Sequence, residues 1–202
     1  MALLIVFEGV EGSGKTTQTQ ILRDKLESVN QHAITTREPG GTASGELIRN
    51  IILDQEDLTP MSELYLFNAA RSLLIEQLVI PQLRKEVHVI MDRFIYSTMA
   101  YQSYGREIPL QTVKTINEIA SHQVVPDVVV LLDIPPQKAL SRRPDPRDRF
   151  EREALDFHTK IRDGYLAMAQ ENPRDWIVID ADLKPDQIAE IVWGKIQPLL
   201  NI

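Results

Sequence analysis

LLIVFEGVEGSGKTT, residues 3–17, runs from an unbroken apolar stretch through a glycine-rich turn to a lysine and two threonines. Leu3–Phe7 has no polar residue, as expected of a strand covered on both faces. Gly9 to Thr16 matches G-x-x-x-x-G-K-[ST] at every fixed position. In such a loop the backbone amides of Gly9, Val10, Glu11, Gly12, Ser13 and Gly14 turn inward toward phosphate oxygens. The helix that follows adds its positive N-terminal end at Thr16 and Thr17. Lys15 reaches the β- and γ-phosphates, and the Thr16 hydroxyl ligates magnesium. A phosphate loop alone does not separate a kinase from a GTPase or a motor ATPase. The base-reading Asn-Lys-x-Asp of GTPases does not occur in the chain.

Downstream, apolar runs alternate with longer helical patterns. Lys15–Val29 carries Ile21, Leu22, Leu26 and Val29 at helical spacing. Strands are expected at His32–Thr36, Val87–Met91, Val128–Leu132 and Trp176–Ile179. Helices are expected at Glu46–Leu53, Pro60–Lys85, Pro109–Ala120, from Pro135 to Leu140, at Phe150–Gln170 and at Pro185–Leu200. Arg142–Arg149 is polar and broken by prolines, so it reads as a loop. Strands alternating with helices make an α/β fold with a five-stranded parallel sheet, flanked by helices on both faces. Ligands of such sheets gather at the carboxyl ends of the strands.

The 202 residues suit one domain, 1–202, large enough to need no disulfide or structural metal. There are no cysteines, which excludes a zinc-thiolate site and fits a reducing cytoplasm. No apolar run approaches the ~20 residues of a membrane span, so no membrane partner is expected. MALLIVF is too short for a signal peptide. A net charge of −7 argues against nucleic-acid binding. Yet five arginines (142, 143, 147, 149 and 152) fall within eleven positions. The four histidines (32, 88, 122 and 158) are scattered without metal-ligand spacing and read as surface or strand-end residues. Asp133 reads as a helix cap, and Trp193 as core.

Val89-Ile90-Met91-Asp92-Arg93 places an acid at the end of the third strand, where a magnesium-bound water needs a carboxylate. Arg93 beside it can span donor and acceptor phosphates. IMDRFIYSTMAYQ (90–102) resembles the signature of thymidylate kinases. So do TREPGG (36–41), LFNAAR (66–71) and RFEREALDFHTKIRDGYLAMA (149–169). The likeness runs from Leu4 to about Asp182. It implies a nucleoside monophosphate kinase fold with a short lid at about 142–150. The implied reaction passes the γ-phosphoryl group of ATP to dTMP with magnesium, in a cytoplasmic homodimer packed through helices. Phe67 would stack on thymine, an aromatic face being a sound platform for a base. Arg71 would bond a thymine carbonyl, with Thr98 and Gln102 completing the base edge. Tyr101 would wall off the sugar's 2′ position. Arg37, beside Glu38, would hold the monophosphate together with Arg93, because a planar guanidinium matches phosphate oxygens in a fork. Glu11 would lie near the acceptor sugar and metal-linked water. Another monophosphate or deoxynucleoside kinase, or a regulatory ATPase, are the rival readings.

The likeness also implies a source for the cation that phosphoryl transfer requires. Some members carry an arginine inside the phosphate loop; others have a small residue there and put arginines in a lid. Gly12 places this chain with the second group. Arg149 is the first expectation for the residue that neutralises the transferred charge, and Arg147 the second. The segment departs from the usual run of Arg-Ala repeats: it is shorter and holds Pro144 and Pro146.

Overall fold

The computed structural model describes residues 2–142 and 148–200. Leu4–Glu8 forms strand β1, and all of it is buried. The cause is its position: β3 (His88–Asp92) pairs with one edge and β4 (Val128–Asp133) with the other. Beyond β3 lies β2 (Ala33–Arg37), and beyond β4 lies β5 (Trp176–Asp180). The order is β2-β3-β1-β4-β5, and every pairing is parallel. Apolar side chains alternate across β1. Leu4 and Val6 join Leu74, Ile75 and Val79, while Ile5 and Phe7 join the larger core with Leu22 and Leu26. That two-sided burial is why the first strand reads as a continuous apolar run.

The register fixes the site. Phe7 pairs with Asp92, and Asp92 pairs with Arg37, so three strand ends form one row at the carboxyl edge of the sheet. From that edge the loop after β1 leads into α1 (Lys15–Ser28). The turn after β2 leads into α2 (Ala43–Asp54), whose N-cap Thr42 accepts the Gly45 amide at 3.0 Å. The β3 end leads to a short helix, α5 (Ile95–Thr98), and β4 leads to α7 (Pro136–Ser141).

Three helical expectations change in detail. Pro60–Lys85 is not uniform: α3 (Pro60–Leu74) passes through a wide π-type turn, Ile75–Val79, into α4 (Ile80–Arg84). Pro81 has no amide hydrogen, so the regular ladder is interrupted and the turn widens. The helix expected from Phe150 starts at Leu155 as α8 (Leu155–Glu171). Before it, the Asp148 carboxylate accepts the amides of Phe150 and Glu151 and closes a turn of its own. The last helix, α9 (Pro185–Ile196), ends early in a 3-10 turn at Gln197–Leu199, around Pro198. Helix α6 (Leu110–Ala120) lies where the periodicity puts it. Among the described residues no helix is long and apolar enough to cross a membrane.

Three single-residue expectations also change. Asp133 does not cap α7; it takes Arg162 in a two-pronged pair at 2.7 and 2.8 Å. His158 is buried within α8 rather than a surface group, whereas His88 is a strand end as expected, opening β3, where it accepts the Leu3 amide at 3.0 Å. Trp193 is half-buried at a groove between α1 and α9, with the Lys25 ammonium 5.3 Å from its ring.

Candidate active site

An open cavity of about 220 Å³ lies at the carboxyl edge of the sheet. The phosphate loop forms its floor with Glu11, Gly12, Gly14, Lys15, Thr16 and Thr17. Gly9, Val10 and Ser13 lie behind this surface and hold Lys15. Its Nζ donates to the Gly9 and Val10 carbonyls at 3.1 and 2.9 Å and lies 3.5 Å from the Ser13 hydroxyl. Burial, with the nearby charge of Arg93, lowers Lys15 to about 8, against the pull of Glu11, Asp92 and Glu8.

The loop's glycines have a steric reason. Gly12 has φ +76°, and a Cβ there would stand 2.5 Å from the Ala139 carbonyl of α7. No arginine fits at position 12 without displacing that backbone.

The Thr16 hydroxyl donates to Asp92 Oδ2 at 2.5 Å. A hydroxyl and one carboxylate are hard oxygen donors suited to magnesium. Among the described residues no group of three or more His, Cys, Asp or Glu side chains could hold a metal. The pair thus fits an ion that takes its remaining ligands from phosphates and water, as magnesium does.

Arg93 is the hub of the cavity. It has φ +73°, a conformation that non-glycine residues seldom adopt and that clusters at functional sites. Its Nη1 donates to the Gly9 carbonyl, the Ser97 hydroxyl and the Tyr165 hydroxyl at 3.0, 3.0 and 3.1 Å. Its Nη2 pairs with Glu11 at 2.5 Å and donates to the Tyr101 hydroxyl at 3.2 Å. It thus touches both the phosphate loop and the far wall. Arg37 lines the same cavity and donates to Glu46 at 2.9 Å.

Below Arg93 lies Glu8, fully buried at the end of β1. It accepts the Phe94 and Ser97 amides at 2.9 and 3.2 Å, and the Ser97 and Tyr165 hydroxyls at 2.6 and 3.1 Å. Burial pushes its carboxyl up to about 7, against these hydrogen bonds and the Arg93 charge.

On the acceptor side, Phe67, Tyr101, Gln102 and Glu38 line the cavity as the sequence suggests. Tyr101 and Gln102 sit in a second π-type turn, Met99–Gly105, that continues α5. Such turns are frequent at functional sites. Thr98 is buried and accepts from Arg71 at 2.7 Å, outside the cavity lining.

Arg71 likewise stands behind the wall. Glu38 takes its Nε and Nη2 at 2.9 and 2.6 Å, and Asn68, Asn117 and Thr98 take the rest at 3.0, 2.6 and 2.7 Å. Every donor of the fork is engaged, so a thymine carbonyl would have to share one of these hydrogens.

Arg147 lies outside the described residues. Arg149 does not line the cavity: its Nε donates to the Ile52 carbonyl at 2.6 Å. Its Nη2 lies 2.6 Å from Glu63 Oε2, a close ion contact out of line for a hydrogen bond. Glu63 is 1% exposed, and a carboxylate that deep requires a cation beside it. Among the described residues of this segment, Arg142 touches the phosphate loop, with Nη1 3.4 Å from the Gly12 carbonyl.

Sequence reading missed other lining residues, among them Arg49, Phe150, Asp148 and Ser97. Arg49 donates to the Pro39 carbonyl at 2.9 Å; burial and the like charge of Arg37 weaken its hold on its proton. Three guanidinium groups, those of Arg37, Arg49 and Arg93, thus surround one space, an arrangement that favours a bound anion. Phe150 faces Phe67 with ring centres 6.0 Å apart. An apolar residue alone between Asp148 and Glu151 was the available signal for it.

Comparison with known proteins agrees with this geometry. The family model described as thymidylate kinase matches residues 7–192. A thymidylate kinase of Dehalococcoides mccartyi is 40% identical, with 100% of this chain and 99% of that one covered. One from Chlorobaculum tepidum is 41% identical, with 98% of each covered. The crystal structure of thymidylate kinase from Ehrlichia chaffeensis superposes with a TM-score of 0.81 at 32% identity, covering 97% of this chain and 99% of that one.

Proposed function

The chain belongs to the thymidylate kinase family and phosphorylates dTMP to dTDP at the expense of ATP; from that premise we propose how its residues divide the work. The loop from Gly9 to Thr17 cradles the triphosphate, and Lys15 leaves its carbonyl partners for the β- and γ-phosphates. Thr16 and Asp92 would hold magnesium. When bound, that ion neutralises charge on the β- and γ-oxygens. The dTMP phosphate rests among Arg37, Arg49 and Arg93, with its sugar near Glu11 and Tyr101. Its base lies against Phe67, with Phe150 opposite. Gln102 meets the base edge, and Arg71 reaches the 4-carbonyl by sharing the hydrogen it gives Thr98.

A phosphate oxygen of dTMP attacks the γ-phosphorus. A new P–O bond forms as the bond to the β–γ bridging oxygen breaks, and the electron pair leaves with ADP. No general base is required, because a phosphate monoester is largely dianionic at neutral pH. The chain's contribution is positioning and fixed positive charge. The single observation that supports this reading most is Arg93, which bonds the Gly9 carbonyl on the donor side and Glu11 and Tyr101 on the acceptor side. Arg142 and the lid, about 142–150, add charge and exclude water over the donor.

We further read the chain as one catalytic domain, cytoplasmic and homodimeric. Exposed Leu47, Tyr65 and Ile119, on α2, α3 and α6, support packing through helices. Sedimentation at micromolar concentration tests the dimer. The residue assignment is tested with a panel of monophosphates and magnesium-ATP. dTMP is expected to exceed dCMP, dGMP and dAMP by orders of magnitude, and dUMP by less. One methyl is worth only about 1–3 kcal/mol in an apolar pocket. Equal turnover of dCMP and dTMP rejects the assignment of the base-reading residues.

A further inference from the structure

Gln102 is fully buried, yet only one end of its amide is bonded. Its Nε2 donates to Glu63 Oε1 at 2.6 Å, while Oε1 has no partner. The side chain also lines the acceptor cavity, beside Phe67 and Phe150. Glu63 is just as deeply buried and lies in contact with two cations, Arg149 at 2.6 Å and Arg106 at 3.5 Å. An ionised carboxylate only accepts hydrogen bonds. The Gln102 atom that faces it must therefore be the nitrogen, because a flipped amide would set two acceptors against each other in a buried site.

We propose that Glu63 determines base specificity in the acceptor site by locking the Gln102 amide with its oxygen presented to the base. The inference rests on the reading that the acceptor base lies against Phe67. Thymine and uracil carry a hydrogen on N3 and can donate to that oxygen. Cytosine has a lone pair on N3 and cannot, so it leaves the Gln102 oxygen buried without a partner. Glu63 touches no substrate; it is a positioning residue that converts a side chain able to read either polarity into one that reads a single polarity. Glu63 also joins the end of the lid, through Arg149, to the base reader.

The test is Glu63→Gln in the full chain, with kcat and KM for dTMP, dUMP and dCMP. The unaltered enzyme is assayed first, and its preference for dTMP over dCMP confirms the premise separately. With glutamine at 63, two amides face each other and either can turn. kcat/KM for dTMP and dUMP should fall together by about tenfold, the size of one lost hydrogen bond, chiefly through KM. dCMP should hold or improve, and the dTMP:dUMP ratio should not move. A purely structural role would lower all three in proportion, and that result, or no change, overturns the proposal. The exchanged pair Glu63→Gln with Gln102→Glu restores an acceptor at 102 and should recover the preference for dTMP; failure to recover it counts against the proposal. If neither variant folds, N3-methyl-dTMP decides on the unaltered enzyme. It should bind at least about tenfold more weakly than dTMP, and equal binding overturns the proposal.

Discussion

The Thr16 hydroxyl and the Asp92 carboxylate are 2.5 Å apart, although 76 positions separate them in the chain. Parallel pairing of β1 with β3 brings them together, because Phe7 and Asp92 stand opposite in register. Asp92→Asn keeps the shape and removes the charge. Turnover should fall by at least about tenfold, and the magnesium concentration for half-maximal rate should rise by roughly 10–100-fold. A magnesium titration at saturating ATP and dTMP measures both, and an unchanged requirement would remove Asp92 from the metal site.

Lys15 loses its proton in the free enzyme as pH rises through about 8. A bound triphosphate favours the charged form, so above that pH binding must take up a proton. ATP affinity should then weaken by up to about tenfold per pH unit. Lys15→Ala should nearly abolish dTDP formation, keep the fold, and make ATP affinity flat across the same range. Calorimetry from about pH 7 to about pH 9.5, in buffers of different ionisation enthalpy, reads the proton uptake directly.

Glu8 carries a raised carboxyl, about 7 against an unfolded 4.5. Between those values the folded chain binds more protons than the unfolded one. Its contribution to stability is therefore fully present below 4.5 and lost as pH rises through 7. Glu8→Gln removes the buried charge, and the new amide hydrogens can bond the Ser97 and Tyr165 hydroxyls. Relative to the variant, the unaltered protein should lose on the order of 1–3 kcal/mol between about pH 5 and about pH 8. Parallel curves in urea at the two pH values would refute this.

Arg149 distinguishes a transfer role from a packing role. Its contacts with Glu63 and Ile52 predict that Arg149→Ala lowers stability by about 3 kcal/mol, the effect of uncovering a buried carboxylate. It should raise KM for dTMP and leave the chemical step within a few-fold. A step slowed by 10²-fold or more, with both substrates still bound normally, would instead make Arg149 the transfer cation. Rapid-quench single-turnover kinetics separates the two, since lid opening can limit the steady state.

What the sequence determined by itself was local and periodic. The apolar run 3–7, the glycines of 9–14 and the Asp92-Arg93 step placed the phosphate loop and the acid at the end of β3. Each signal depends on backbone geometry within a few residues of itself. The alternation of strands and helices gave the parallel sheet for the same reason. Tertiary structure alone decided who partners the buried charges. Arg71 and Arg149 read as ligand contacts because an arginine in a helix or loop is ordinarily free to reach a phosphate or a base. Glu38, 33 positions away, and Glu63, brought in from α3, also pair with them, because a carboxylate removed from water needs a cation beside it, and Arg71 is left only a shared hydrogen to offer a base. Arg49 and Phe150 reached the cavity through the packing of α2 and the turn at Asp148, which no spacing encodes. Glu8 carries no signal of its own in the sequence beyond following the apolar run, and its enclosure beneath Ser97, Tyr165 and Arg93 makes it a titrating group near neutral pH.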